Sequence, residues 1–483
     1  MHKYLLLALT LLSTACEESR SRDFFLTIGG GYAPSGNQAS LENNVLYVQR
    51  FMQRQALEKN DIFFADGTNP SADLEVMDPK SVPKANRLMA EFFGSTRNLG
   101  LSYRNHRVPN VRGGTNPKNV QNWFQTVGPT MQRGDRLIVY VTAHGSGSRD
   151  QRNTHETTIA MWNNSAMKMT EFVGLLDKLP QDVDVIVVMV QCHAGGFARF
   201  IFNGGNPKAG LSPQRRVGFF ATVHDRQAAG CTPEVDETTY VEYSTYFWAA
   251  ISGKDRTGKP VTRPDYNKDG EVSLEEAHAY TVLTADTIDL PLKSSGEFLT
   301  QHGRYGRPGG NLLTDDAVYA DVLAVASPAQ RAVLNGLSEQ LGLSGEERVM
   351  NAFEVTRRGN RGRRRGRTQT RSPAFELKRK IAAAVRRKWP SLANVMNPKA
   401  IELLTTRSAE FIRAIEGHPD YRRYRELADR PAVNEQKKRV KYERFLRTVD
   451  NVIFAENLKR EGKTELFSQY ESIVAAERQP LFR

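Results

Sequence analysis

Residues 183–197 read VDVIVVMVQCHAGGF. The first eight are almost all apolar and mostly β-branched. A run that short and that apolar fits a strand buried on both faces. Its length and Val/Ile content favour a strand over a buried helical segment. The run stops at Gln191-Cys192-His193, followed by Ala194-Gly195-Gly196. A thiol therefore sits just past the C-terminal end of a central strand, the edge along which open parallel α/β sheets place their chemistry. A free cysteine is also a common small core residue, so the thiol alone decides nothing.

A second stretch adds the missing partner. Residues 136–142 (RLIVYVT) form another short apolar run, ending in Ala143-His144-Gly145-Ser146-Gly147. Neighbouring parallel strands lie about 4.8 Å apart, so two side chains delivered at the same edge can flank one cleft. A cysteine with a histidine elsewhere in the chain is the arrangement of thiolate catalysis.

The spacing of these strands predicts an α/β fold. Residues 24–28 read as the first strand, 41–57 as an amphipathic helix and 61–65 as a second strand. A helix at 84–93 interrupts a loop-rich stretch over 66–112. Helices at 119–131 and 168–179 lead into the two central strands, and residues 157–162 and 216–223 read as further strands. Such alternation implies a mostly parallel sheet with helices on both faces.

Four segments carry a family resemblance: 24–29 with Asn37-Gln38-Ala39, 113–120 (GGTNPKNV), 139–145 (VYVTAHG) and 190–195 (VQCHAG). Together they resemble the caspase-like cysteine peptidases, in particular the legumain branch, over about residues 22–310. The resemblance implies that the Cys192 thiolate attacks a peptide carbonyl and that His144 acts as general acid/base. Backbone N–H groups of Gly145 and Cys192 would hold the oxyanion. Asn37, Asp225 and Arg226 fall where the family lines its substrate pocket. The chain departs from the family at Val190 and His193, where acidic residues are usual. It also has Gly36-Asn37 near the position of the legumain Arg-His pair.

A twelve-residue loop, 265–276 (DYNKDGEVSLEE), matches the spacing of a calcium loop. Asp265, Asn267 and Asp269 stand at positions one, three and five, and Gly270 permits the turn at six. Glu271 offers its carbonyl at seven, Ser273 stands at nine and Glu276 at twelve. Residues 254–264 hold Gly and Pro and do not read as a helix, whereas 274–283 do. A single structural Ca2+ loop, rather than a paired EF-hand sensor, is expected. No organic cofactor is expected.

The chain of 483 residues carries a formal charge of +13, unevenly spread. Residues 357–371 hold eight Arg and no acid; residues 373–483 carry +9, leaving the rest at −4. That asymmetry suggests an anionic partner for the C-terminal region: anionic lipid, nucleic acid or a cell-wall polymer. At the other end, His2-Lys3 precede a short apolar run at 4–12 and then Ser13-Thr14-Ala15-Cys16. The run is too short to span a bilayer and suits a signal-peptide core. Small residues before Cys16 resemble a bacterial lipoprotein site, so export with lipid attachment at Cys16, or periplasmic release or secretion, is expected. Of the other two cysteines, Cys192 and Cys231, both are expected free, because a disulfide would consume the nucleophile.

The resulting organisation is a signal peptide (1–15), a caspase/legumain-like peptidase domain (22–312), a helical connection (313–356), an Arg-rich linker (357–372) and a separate all-α basic domain (373–483) of three to five helices. Residues 295–312 read as a Gly-rich loop. The expected activity is endopeptidase cleavage of a protein or peptide substrate. Two other readings use the same residues: a non-catalytic, calcium-stabilised surface lipoprotein that binds an anionic polymer, and a transamidase-like enzyme that passes the thioester to an amine.

Overall fold

The computed structural model of the chain describes residues 21–362, 372–429 and 435–482. The signal peptide, Cys16 and most of the Arg-rich linker lie outside the described residues. The strands are β1 (Asp23–Gly30), β2 (Lys59–Phe64), β3 (Leu74–Met77), β4 (Leu101–Arg104), β5 (Val111–Gly113), β6 (Arg136–Ala143), β7 (Gly145–Ser146), β8 (Thr158–Met161), β9 (Ser165–Lys168), β10 (Asp184–Met189), β11 (Arg216–Phe220) and β12 (Leu292–Lys293). Seven build the main sheet in the order β12-β11-β10-β6-β1-β2-β5. Only β12 runs antiparallel to its neighbour. The central strands are apolar on both sides: Phe24, Phe25, Leu26, Val139, Tyr140, Val141, Val187 and Val188 are fully buried. This is the unbroken pattern of a sheet covered on both faces.

The first helices are α1 (Ala39–Met52), α2 (Lys84–Phe93), α3 (Pro117–Thr126), α4 (Met169–Leu176), α5 (Tyr243–Ser252), α6 (Leu274–Thr284) and α7 (Ser294–His302). Phe51 of α1 meets Trp248 of α5, whose ring lies 5.2 Å from Tyr140 on β6. Phe124 of α3 meets Phe172 of α4. Helix α7 takes the first part of the loop expected at 295–312, whose remainder, 303–312, is irregular. The helix sequence is polar, yet Ser294, Ser295 and Glu297 are buried. Ser294 Oγ accepts the Gly218 N–H at 2.7 Å, so the polar groups are satisfied inside rather than solvated.

Helices α8 (Tyr319–Val325), α9 (Pro328–Leu341) and α10 (Arg348–Gly362) follow, with α10 running into the Arg-rich segment. The C-terminal region holds six described helices: α11 (Pro373–Lys388), α12 (Pro398–Glu402), α13 (Ser408–Glu416), α14 (Tyr421–Ala428), α15 (Glu435–Arg460) and α16 (Thr464–Glu477). It is not one detached unit. Leu458, Tyr470, Ile473, Val474 and Leu481 belong to the same apolar cluster as the main sheet. A buried ionic group ties them there. Lys293 Nζ on β12 lies 2.8 Å from Glu275 Oε1 on α6 and 2.7 Å from Glu477 Oε2 on α16. Helices α11–α14 instead pack with α2 in a smaller cluster.

Candidate active site

Strands β6 and β10 pair in parallel, with Val139 opposite Val187 and Val141 opposite Met189. The Val190 N–H continues the ladder, donating to Val141 O at 3.0 Å. His144 and Cys192 each stand three residues beyond the last pair, so the register brings them to matching positions on the C-terminal edge. The strand ends touch there: a Cβ on Gly145 would sit 2.1 Å from Cys192 O. Only glycine fits this approach. The Ala160 N–H donates to His144 O at 2.9 Å. That bond makes Gly145–Ile159 a non-hydrogen-bonded pair of the β7–β8 ladder, so the Gly145 N–H points away from β8. It is available to a developing oxyanion.

His144 is partly buried, with the Tyr32 ring edge-on at 5.4 Å. Its Nε2 lies 2.8 Å from Gly36 O. A carbonyl only accepts, which assigns the proton to Nε2 and leaves Nδ1 as the basic nitrogen. Burial holds the imidazole below its ordinary pKa. Cys192 is half-buried and free. The Ala228 N–H donates to its Sγ at 3.3 Å, and burial pushes the thiol above its ordinary value. Both groups are therefore neutral at neutral pH. Cys231 is free as well, three residues beyond Ala228.

Next to Cys192, histidines tie neighbouring loops together. His193 adopts φ 60°, the left-handed region that non-glycine residues rarely enter. Its N–H donates to Arg226 O and its Nδ1 to His224 O, both at 2.8 Å. The rings of His224 and His155 stack with centroids 3.8 Å apart. Burial drives the His155 pKa down to about 3. No spacing in the sequence links 155, 193 and 224, since they meet only through the turns after β7, β10 and β11. His193 thus joins the loop after β10 to the loop after β11.

The expected pocket residues separate. Asn37 is fully buried and does not line a pocket. Its Oδ1 accepts the Gly31 N–H and its Nδ2 donates to Asp73 O, both at 3.0 Å, so its amide holds the turn beneath His144. Arg226 pairs with Glu443 on α15 rather than with Asp225. Asp225 is exposed. A cleft of about 610 Å³ opens beside Arg226 and Gln227, walled by Phe353 of α10 and Leu446 of α15. Its lining includes neither Cys192 nor His144.

The 265–276 loop folds as a tight turn with φ of 62° at Lys268 and 92° at Gly270. Asp265 accepts the Asp269 and Gly270 N–H groups, Asn267 Oδ1 also accepts from Asp269, and Asp269 accepts the Glu271 N–H. Ser273 caps α6 and exchanges hydrogen bonds with Glu276. Glu276 also accepts the Tyr266 and Asn267 N–H groups, at 2.7 and 3.1 Å. The donor set suits a hard cation, but in this conformation the Glu276 carboxylate is engaged by backbone, and the loop's carboxylates do not converge on one point.

Comparison with protein-family models and with curated proteins finds no match. Among solved structures, the crystal structure of protein GSU0716 from Geobacter sulfurreducens is a distant neighbour. It has 8% identity and a TM-score of 0.31, covering 54% of this chain and 88% of that one.

Proposed function

We propose that the chain is a cysteine endopeptidase of the caspase-like, legumain-related kind. The reading is carried by one observation: Cys192 and His144 occupy matching positions beyond two paired parallel strands. The Cys192 sulfur attacks the scissile carbonyl as its proton passes to the free Nδ1 of His144. The Gly145 and Cys192 N–H groups receive the oxyanion. His144 returns the proton to the leaving amine, and water then cleaves the thioester. Because burial holds thiol and imidazole neutral, the proton leaves the sulfur during its attack rather than before it.

Calcium at 265–276 belongs to this proposal through its spacing. Binding requires Glu276 to release the backbone of Tyr266 and Asn267 and turn to the cation. Export and lipid attachment at Cys16 and an anionic partner for the basic C-terminal helices belong to the same reading, as do the polymer-binding and amine-transfer variants.

The test is labelling of the purified protein with peptidyl electrophiles, with and without Ca2+, followed by mapping of the modified residue. Selective, peptide-dependent labelling of Cys192, lost in His144→Ala, is expected. Reaction with a simple alkylating agent should rise steadily from pH 6 to 9, because the thiolate fraction of a raised thiol grows across that range. A plateau below pH 7 would mean a preformed thiolate–imidazolium pair and would sink the neutral-pair mechanism. Peptide cleavage persisting in Cys192→Ala would remove the peptidase assignment.

A further inference from the structure

Asp66, Asp73 and His106 come from three separate strand ends: just after β2, just before β3 and just after β4. One ligand-capable atom from each lies within 4.8 Å of the others. Asp73 is fully buried, and the His106 side chain is only 7% exposed. Part of their bonding capacity is used. Asp73 Oδ1 accepts the His106 N–H at 2.9 Å, and an oxygen of Asp66 accepts from the Ser71 hydroxyl. His106 Nε2 lies 2.8 Å from Gly67 O and so carries the ring proton toward it.

What remains unpaired is telling. Asp66 Oδ1, Asp73 Oδ2 and His106 Nδ1 are all buried and make no hydrogen bond. With the proton on Nε2 and both carboxyls ionised, all three are acceptors; a proton shared by Asp66 and Asp73 would satisfy their two oxygens and still leave His106 Nδ1 unpaired. Leaving such groups empty inside a protein is costly. The Arg104 guanidinium does not help, since it is held by both oxygens of Glu42, at 2.9 and 2.6 Å. His106 approaches Asp73 Oδ2 through Nε2, at 3.9 Å, so a cation between them would take Nε2 in place of its bond to Gly67 O.

We propose that Asp66, Asp73 and His106 form a binding site for a divalent transition-metal cation of the zinc or manganese type. Two carboxylate oxygens and one imidazole nitrogen suit these ions, whereas calcium prefers oxygen alone. The site is distinct from the 265–276 loop and does not depend on the peptidase reading. Its placement gives it a structural consequence. Asp73 O accepts from Asn37, Asn37 anchors Gly31, and the adjacent Gly36 O holds His144. A cation at Asp73 therefore clamps the base of the turn that orients His144.

The experiment uses the Cys192→Ala protein, in which thiol and His144 cannot together hold a metal. It is dialysed against Zn2+ or Mn2+ alone, and the bound metal is quantified. About one equivalent of one of these ions is expected, with a rise in melting temperature of about 5 °C at saturation. Adding Asp73→Asn should abolish both effects. If that variant does not fold, His106→Gln should bind at least about tenfold more weakly. Absence of stoichiometric metal in folded Cys192→Ala protein would overturn the proposal. So would retention unchanged by the Asp73 or His106 substitution. A third result, no metal and a proton shared between Asp66 and Asp73, would also overturn it.

Discussion

The two halves of the basic C-terminal region, α11–α14 and α15–α16, look alike in composition but are held in different ways. Among the described residues, the apolar contact of α11–α14 is with α2, through Leu88, Met89 and Phe92 against Ile381, Phe411 and Tyr424. Charges at that contact are at the rim: Lys84 with Glu416 and Arg425 with Glu91. Helices α15 and α16 enter the interior. Arg444 is almost fully buried and donates to the carbonyls of Val282, Ala285, Thr287 and Asp289. Glu477 is fully buried and accepts from Lys293 and from both donors of Ser295. A positive charge that decorates the surface in one half closes gaps in the core in the other. Net charge therefore says little about which basic residues can meet a partner.

That contrast can be broken or sharpened by substitution. Glu477→Ala should have the largest effect, destabilising the main body by about 3–5 kcal/mol, because buried Lys293 keeps only Glu275 and both donors of buried Ser295 lose their acceptor. Chemical denaturation followed through the core tryptophans would measure it. A loss under 1 kcal/mol would mean that α16 is peripheral. Phe411→Ala should cost the small cluster about 3 kcal/mol while leaving the sheet's unfolding transition in place. Hydrogen exchange would show α11–α14 loosening alone; loosening of β6 or β10 as well would erase the distinction. Glu443→Gln removes the partner of Arg226, a pair exposed enough to be worth less than about 1 kcal/mol. Its expected signature is a few-fold change in Cys192 alkylation rate, since Arg226 O also receives the His193 N–H. Lys84→Ala should be smallest, within about 0.5 kcal/mol of the parent, as befits a solvent-screened pair.

The sheet was legible in the sequence because its strands are buried on both faces. Continuous Val/Ile/Phe runs mark β1, β6, β10 and β11 without ambiguity, and the residues that end β6 and β10 disclose the Cys–His pair. Other features depended on partners far away in the chain. Helix α7 reads as a loop because its buried serines are satisfied by Gly218 and Glu477. The two-residue β12 is too short to show a period. The inward faces of α15 and α16 are obscured by Arg444 and Glu477, which look like surface residues until their distant acceptors and donors are known. Asn37 falls at a pocket position by family resemblance, yet it serves the backbone of its own turn. The Asp66, Asp73 and His106 group is spread over forty-one residues, and only the folding of β2 to β4 brings it together.

The ends of the sheet also give the molecule a front and a back. Arg136, at the start of β6, binds Asp23 through two nitrogens and reaches Pro480 O at 3.4 Å. Phe482 meets Phe51 close by. The first and last described segments are therefore neighbours on one rim, while His144 and Cys192 stand on the opposite rim, about 25 Å away along an eight-residue strand. Ser21, the first described residue, thus lies on the rim opposite the thiol.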